Sequence, residues 1–225
     1  MIGAPRVHWR RADSTNERAR ELAAAGAPHG TIVTAAEQTA GRGRQGRAWT
    51  APPGSAVLMS VVLRDFNELL PLAAAVATCE AVPVDGRIKW PNDVWAGGRK
   101  LAGILAEARP QEGWAVLGIG LNVTTEEFPT ELREIATSLR LEGVDASVEQ
   151  VLADLTSALE QRLGEGADSI LRAWRERDAL KGRQVRWAGG AGTAAGIDDS
   201  GALIVETQDG RVTLEAGEVH LIAPV

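Results

Sequence analysis

The stretch from Gln38 to Trp49, QTAGRGRQGRAW, constrains this chain more than any other. Its three glycines accept backbone angles that other residues resist, and they let a ligand approach the main chain closely. Its three arginines are permanent, fork-shaped cations that suit carboxylate and phosphate oxygens. The Pro52-Pro53 pair that follows excludes a helix directly after it. The sequence therefore predicts a loop that closes over an anion, in a chain whose net charge is -6.

Three other interpretations of this Gly-Arg loop compete with an anion site. The spacing Gly41-x-Gly43-x-x-Gly46 formally matches the dinucleotide-binding fingerprint, but that fingerprint needs a helix that opens directly at the loop. An Arg-Gly segment is also typical of nucleic-acid-binding proteins, which usually carry a broad basic face. A flexible, solvated surface loop is the third interpretation. The loop alone leaves these interpretations open.

The lysines favour the anion site. Of 24 basic residues only three are lysines, at positions 89, 100 and 181, and two of them lie in the short stretch 88–103. Where arginine supplies nearly every cation, a remaining lysine suggests a place that requires a compact point charge. The two stretches together predict one basic site, formed by Arg42, Arg44, Lys89 and Lys100, with Asn92 and Asp93 beside it.

Five motifs occur in a fixed order along the first half of the chain. They are Ser-Thr-Asn at 14–16, QTAGRGRQGR at 38–47, KWPND at 89–93, GRKLAGIL at 98–105 and GIGLNV at 118–123. In order and spacing the chain resembles the biotin–protein ligases. The resemblance implies an α+β fold. A mixed sheet with flanking helices would form a class II aminoacyl-tRNA synthetase-like ligase core, followed by a small SH3-like β barrel.

The resemblance also implies a reaction and a set of site residues. Biotin and ATP would form biotinyl-5′-AMP, and the biotin would then pass to a lysine of a biotin carboxyl carrier domain. Lys100 and Arg44 would be the catalytic residues. Biotin would be bound by Ser14, Thr15, Asn16, Gln38, Gly41, Arg42, Gly43, Arg44, Lys100 and Gly103. The nucleotide would be bound by Trp49, Lys89, Asn92 and Asn122.

Mg²⁺ is the further cofactor that the resemblance implies, and its ligands are not identified by the sequence. Asp93 is the one candidate, with pairing to Lys89 or Arg99 as the alternative, because a lone carboxylate is a weak signal for a metal. A homodimer is left open. The Ser-Thr-Asn motif comes too early in the chain to leave room for an N-terminal DNA-binding domain, so DNA binding is not expected.

Hydrophobic periodicity and capping residues predict the elements that carry the motifs. Ser14-x-x-Glu17 predicts a capping box that opens a helix through Ala25. Further helices are predicted over 68–82, 132–139, 148–163 and 169–178. Strands are predicted over 7–10, 31–37, 57–63, 87–90, 100–107 and 114–123.

The sequence changes in character after Lys181. Short apolar segments at 184–188, 193–197, 202–207 and 212–215 alternate with Gly-Gly and Asp-Gly turns, which are hairpin signals. We expect two domains: a catalytic biotin- and ATP-binding domain over 1–180 and an SH3-like β domain over 181–225.

Several function classes stay open or are disfavoured. No apolar signal segment opens the chain and the longest apolar run, 69–79, is too short to span a bilayer, so a cytoplasmic protein without a membrane partner is expected. Lipoate or octanoate ligases and transferases share the broad fold and remain an alternative. A non-enzymatic small-molecule sensor or RNA-binding module is the other, although the acidic balance disfavours it.

Overall fold

A computed structural model describes residues 1–222, and its larger part is built on a seven-stranded mixed sheet. The strand order is β1-β2-β3-β7-β6-β5-β4; β1 and β2 are parallel and the other neighbours antiparallel. The strands are β1 Arg6–Trp9, β2 Ile32–Ala35, β3 Ala56–Leu63, β4 Arg87–Lys89, β5 Asp93–Ala96, β6 Arg99–Arg109 and β7 Trp114–Asn122. The predicted mixed sheet is confirmed.

Helices cover both faces of this sheet. They are α1 Thr15–Ala24, α2 Leu70–Glu80, α3 Val148–Leu163 and α4 Ala167–Glu176. On one face Ala19 and Ala23 of α1 pack with Val62 of β3 and Val116 of β7. Helix α2 contacts the opposite face and packs against α3 and α4. Nine of its eleven residues are buried, as its nearly continuous apolar sequence requires.

The register of the long strands decides where polar groups can enter the sheet. Ser60 of β3 lies opposite Gly118 of β7, and Gly120 of β7 lies opposite Gly103 of β6. Side chains alternate between the two faces of a strand. These positions therefore share the face that α1 covers, and the three glycines leave a shallow area there.

A five-stranded antiparallel sheet follows in the order β11-β10-β9-β8-β12. Its strands are β8 Gln184–Trp187, β9 Gly190–Ile197, β10 Leu203–Thr207, β11 Gly210–Leu214 and β12 His220–Leu221. This sheet agrees with the predicted small β domain. The last three residues of the predicted range 181–225 lie outside the described residues.

One predicted helix is wrong. The segment 132–139 forms turns, and part of it lies alongside the start of β6. The Lys100 amide donates to the Ile135 carbonyl at 2.8 Å, and the Thr137 amide donates to the Lys100 carbonyl at 2.9 Å. The Ile135 carbonyl and the Thr137 amide thus pair with β6, and the Leu139 amide pairs with the Asn122 carbonyl, so these groups are not available to a continuous helix.

Candidate active site

A buried polar cluster lies where α1 begins over the sheet. Gln38 accepts hydrogen bonds from the Thr15 amide at 2.6 Å and the Thr15 hydroxyl at 3.0 Å. The Ser60 hydroxyl bonds to Thr15 Oγ1 at 2.8 Å and Asn16 Oδ1 at 2.6 Å. Thr15, Asn16 and Ser60 are all at most 4% exposed. Most buried polar side chains in proteins are paired in this way, and these hydrogen bonds fix the cluster in place, where its remaining polar groups can bind polar atoms of a ligand.

Ser14 precedes this cluster but does not cap the helix. It stands at the N-cap position with extended backbone, yet its hydroxyl makes no cap hydrogen bond. Its amide instead donates to Asp13 Oδ1 at 2.7 Å. Glu17 pairs with Arg20 and Arg42. The predicted helix start is right and the predicted capping box is wrong, because these arginines engage the Glu17 carboxylate.

The three glycines of β6 and β7 form a floor beside the cluster. A Cβ atom at Gly120 would lie 2.4 Å from Cε2 of Trp49, and one at Gly118 would lie 2.0 Å from Oδ1 of Asn16. A Cβ atom at Gly103 would come within 3.0 Å of the Trp49 ring. Only glycine therefore lets the indole and the amide lie directly on the sheet.

Lys100 stands at the edge of this glycine floor. Its Nζ lies 2.7 Å from Oδ1 of Asp93 and 5.6 Å from the centroid of the Trp49 ring. Asp93 thus pairs with Lys100, and the predicted pairing with Lys89 or Arg99 is wrong; Arg99 pairs with Glu142 at 3.0 Å. The ammonium group is held by one anion and one aromatic face, so its position is preorganised.

Lys89 is the second lysine of the site. Its Nζ lies 5.5 Å from the centroid of the Trp95 ring. Burial lowers the pKa of Lys89; Asp93 opposes this shift, and the positive charge of Lys100 adds to it. The two lysines therefore act on each other electrostatically, and an anion bound between them would be favoured by both.

The Gly-Arg loop folds as a tight hairpin beside the cluster. Arg42 and Ala48 form an antiparallel bridge, and the Gly43 amide donates to the Arg47 carbonyl at 2.7 Å. Gly41 is required by close approach, because a Cβ atom there would lie 2.3 Å from the Trp49 carbonyl oxygen. The backbone of the motif thus positions its arginines and also Trp49.

The arginines of the loop point to different partners. Arg42 faces Glu17 at 3.3 Å and Glu107 at 3.6 Å. Arg44 donates to Asn92 Oδ1 at 3.3 Å and to the Gly217 carbonyl at 3.5 Å, so it reaches both the KWPND motif and the segment between β11 and β12. The predicted grouping of Arg44 with Asn92 is present in the structure.

Two asparagines present hydrogen-bonding groups at the far end of the site. Asn122 is 3% exposed and donates from Nδ2 to the Thr137 carbonyl at 2.9 Å. Its Oδ1 is buried without a partner among the described residues, as is Nε1 of Trp49. Asn92 donates to the Ile104 carbonyl at 2.8 Å. An unpaired buried acceptor costs about 1–3 kcal/mol, so Asn122 is suited to accept a hydrogen bond from a ligand.

Sequence reasoning missed four residues of this arrangement: Ser60, Glu107, Gly118 and Gly120. A polar residue within the otherwise apolar run 56–63 was the available signal for Ser60. Gly118 and Gly120 lie in a recognised motif, but only their register opposite β3 and β6 shows that they form part of the glycine floor. Within residues 1–222 no group of three or more His, Cys, Asp or Glu residues could hold a metal ion.

Comparisons with known proteins give the family of this chain. The model of the biotin/lipoate A/B protein ligase family matches residues 9–123, and the model of the biotin protein ligase C-terminal domain matches 182–221. A biotin–[acetyl-CoA-carboxylase] ligase of Mycobacterium tuberculosis is 39% identical over 98% of this chain and 92% of its own length. The chain belongs to the biotin protein ligase family. The present chain is also 36% identical to the bifunctional ligase/repressor BirA of Bacillus subtilis, over 92% of this chain and 71% of that relative.

Solved structures show the same fold. The biotin protein ligase of Aquifex aeolicus in complex with biotin and ATP has a TM-score of 0.84 and is 27% identical, with 97% of this chain and 99% of that chain covered. The predicted α+β ligase fold is thereby confirmed. The described helices of this ligase include none long and apolar enough to cross a membrane.

Proposed function

We propose that this ligase uses the site on its glycine floor to join biotin to ATP and then to a carrier lysine. A biotin carboxylate oxygen attacks the α-phosphorus of ATP, and the bond to pyrophosphate breaks. A carrier amine then attacks the acyl carbon of biotinyl-5′-AMP, loses a proton and releases AMP. The observation that carries this proposal is the place of the Lys100 ammonium group, beside the Trp49 ring and next to Gly103; the partner of Gly103 in β7, Gly120, lies between Gly118 and Asn122 along that strand.

The chemical difficulty of the first step is repulsion between two anions. Preorganised cations at a partly dehydrated centre offset that repulsion and stabilise the charge that develops on the phosphoryl oxygens. Lys100 is held by Asp93 and Trp49 before any substrate arrives. We assign it to the reacting carboxyl–phosphate centre, with Arg44 as the second catalytic cation and Lys89 on the phosphate side.

The biotin half of the site is the buried polar cluster. Its hydroxyl and amide groups offer donors and acceptors to a polar ring system, and the Trp49 indole that covers the Gly103–Gly120 pair offers an apolar surface that leads toward Lys100. The proposed biotin-binding residues are Ser14, Thr15, Asn16, Gln38, Gly41, Arg42, Gly43, Arg44, Lys100 and Gly103.

The nucleotide half lies toward the asparagines. The unpartnered Oδ1 of Asn122 accepts from an exocyclic amine such as that of adenine, and the Trp49 indole offers a face on which a base stacks. Asn92 and Lys89 complete the proposed nucleotide-binding set. Arg44 already contacts Asn92, so closure of the loop would bring both halves together.

The described residues do not form a protein cage for Mg²⁺. Asp93 is a single carboxylate, and the Lys100 ammonium occupies one of its oxygens. Mg²⁺ binds through one or two carboxylates together with substrate phosphates. We therefore propose that the ion enters on the phosphates of ATP as part of the substrate, with Asp93 as its weak protein candidate.

The remaining proposals concern the whole protein. We divide it into a catalytic domain over 1–180 and a C-terminal SH3-like domain over 181–225, and we propose a biotin carboxyl carrier protein domain as its partner. A cytoplasmic location follows from this substrate. A homodimer and the absence of DNA binding stay predictions.

Adenylate formation tests the proposed function directly. The protein is incubated with α-³²P-labelled ATP and either biotin or lipoate, and the products are separated by thin-layer chromatography. We expect labelled biotinyl-AMP, together with one equivalent of unlabelled pyrophosphate, when biotin is supplied and not when lipoate is supplied. An adenylate formed with lipoate but not biotin would instead identify a lipoate ligase, and no adenylate with either acid would refute the ligase mechanism.

A further inference from the structure

Glu107 places a carboxylate beside the buried polar cluster, at the margin of the site. It lies in β6 opposite Val116, and its side chain is 25% exposed. Its Oε2 accepts a hydrogen bond from Nδ2 of Asn16 at 2.9 Å. Its Oε1 lies 3.6 Å from Arg42 and 3.8 Å from Arg20. Both oxygens are thus engaged by protein groups, so the carboxylate acts through its neighbours and does not need to touch an anionic substrate.

The contact with Asn16 fixes the orientation of a buried amide. The oxygen of that amide accepts from the Ser60 hydroxyl, and its nitrogen donates to Glu107. Without Glu107 the nitrogen keeps only the Leu105 carbonyl, at 3.5 Å. An asparagine side chain offers donors at one end and an acceptor at the other. Glu107 therefore determines that the amide nitrogen faces β6 and the amide oxygen faces Ser60 of β3.

The contact with Arg42 ties the same carboxylate to the Gly-Arg loop. Arg42 has two acidic partners, Glu17 of α1 and Glu107 of β6. A loop with three glycines has a large open ensemble, and ordering it costs conformational entropy that such contacts offset. Of these two acids, Glu107 is the one that also contacts Asn16 of the buried cluster.

We propose that Glu107 is a positioning residue that couples the buried polar cluster to the Gly-Arg loop. It orients the Asn16 amide, and through Arg42 it holds the loop over the biotin half of the site. The biotin role rests on the proposed function, whereas the coupling between cluster and loop does not require a ligand.

Matched substitutions test this coupling. Glu107→Gln keeps an acceptor for Asn16 but removes the charge that faces Arg42, and Glu107→Ala removes both. Glu112→Gln is the control, because it makes the same charge change at an exposed position of the next turn. We expect the KM for biotin to rise roughly 3- to 10-fold in Glu107→Gln and further in Glu107→Ala, with a much smaller change in kcat. The control should match the parent.

Hydrogen exchange of the ligand-free protein provides a readout that does not depend on biotin. Amides 42–48 should exchange severalfold faster in Glu107→Gln than in the parent. The increase should vanish when both proteins also carry Arg42→Gln, because the pair acts as a unit. Unchanged exchange at 42–48, or the same increase in the Arg42→Gln background, would overturn the coupling. Failure of the parent protein to bind biotin would refute the proposed function. The exchange experiment would still test the coupling role of Glu107, because it uses no biotin.

Discussion

Lys100 is the residue on which the proposed chemistry depends most. Its ammonium group is compact, and it is held by Asp93 at 2.7 Å and by the Trp49 ring. Preorganisation of this kind removes the cost of reorienting a charge during the reaction. Replacement of Lys100 also leaves the Asp93 carboxylate without its cation. A test must separate the effect of this unpaired charge from the loss of a catalytic group.

Lys100→Ala should slow adenylate formation roughly 100-fold or more, because one preorganised cation is lost at a phosphoryl centre. The measurement is a single-turnover rate by quenched flow. Lys100→Ala/Asp93→Asn removes the unpaired carboxylate and should stay equally slow, and Lys181→Ala, at an exposed position, should match the parent. A parent-like rate in Lys100→Ala would remove Lys100 from the reacting centre.

Lys89 gives the site a pH dependence. Burial lowers its pKa, so it loses its proton at a pH below the ordinary range for lysine. Its positive charge is present below that lowered pKa and is lost as the pH rises through it. The affinity for ATP should therefore fall over that range, as measured by calorimetry. Lys89→Arg stays charged and should flatten the profile; a parent profile that is already flat would contradict the role.

The sequence points to single residues where a motif contains them, and their roles stay predictions; it misses residues that only the fold brings together. Lys100, Asn122 and Gln38 were identified from their motifs. Ser60 and Glu107 were missed because their partners are 44 and 91 residues away along the chain. The predicted partners of Asp93 were also wrong, because its carboxylate pairs with Lys100 from the neighbouring strand β6.

At the scale of elements, the Gly-Arg loop combines cations with a flexible backbone. Arg44 contacts Asn92 in one direction and Gly217 in the other. We expect Arg44→Gly to weaken retention of biotinyl-AMP roughly 10- to 150-fold, since a charge-assisted contact is worth about 1.5–3 kcal/mol. The escaped adenylate should then label exposed lysines of albumin, which streptavidin blotting detects.

Arg44→Lys is the matched variant for this prediction. It keeps the charge without adding a glycine, so it should label albumin less than Arg44→Gly does. If Arg44→Gly forms adenylate at a measurable rate and labels no albumin, the loop does not retain the intermediate.

Elements with a clear period were predicted and irregular ones were not. Helix α3 was predicted with its observed bounds, because an apolar stripe recurs along it. The segment 132–139 shares helical composition, yet β6 takes its hydrogen bonds. Strand β5 was missed because it has only four residues, which lie between turn residues and are too few to show a period. Long-range hydrogen bonds decided the first case, whereas β5 pairs with its sequence neighbours β4 and β6.

At the scale of the whole molecule, the two sheets are joined by a buried tryptophan. Trp90 is 2% exposed, and its indole nitrogen donates at 3.0 Å to the carbonyl of Gly201, in the turn between β9 and β10 of the second sheet. Trp90→Phe leaves that buried carbonyl unpaired and should lower the free energy of unfolding by about 1–3 kcal/mol. Urea titration measures this, with the exposed Trp9→Phe as a control near zero. Equal effects of the two substitutions would refute the link.

The transfer of biotin to a carrier lysine tests the central claim of the account most directly. The ligase is incubated with ATP, biotin and a biotin carboxyl carrier domain, and the intact mass of the carrier is recorded. The account predicts the gain of one biotinyl group, located on a single lysine by fragmentation and absent when that lysine is arginine or when ATP is omitted. An unmodified carrier in the presence of folded ligase, or modification by lipoate in place of biotin, would contradict it.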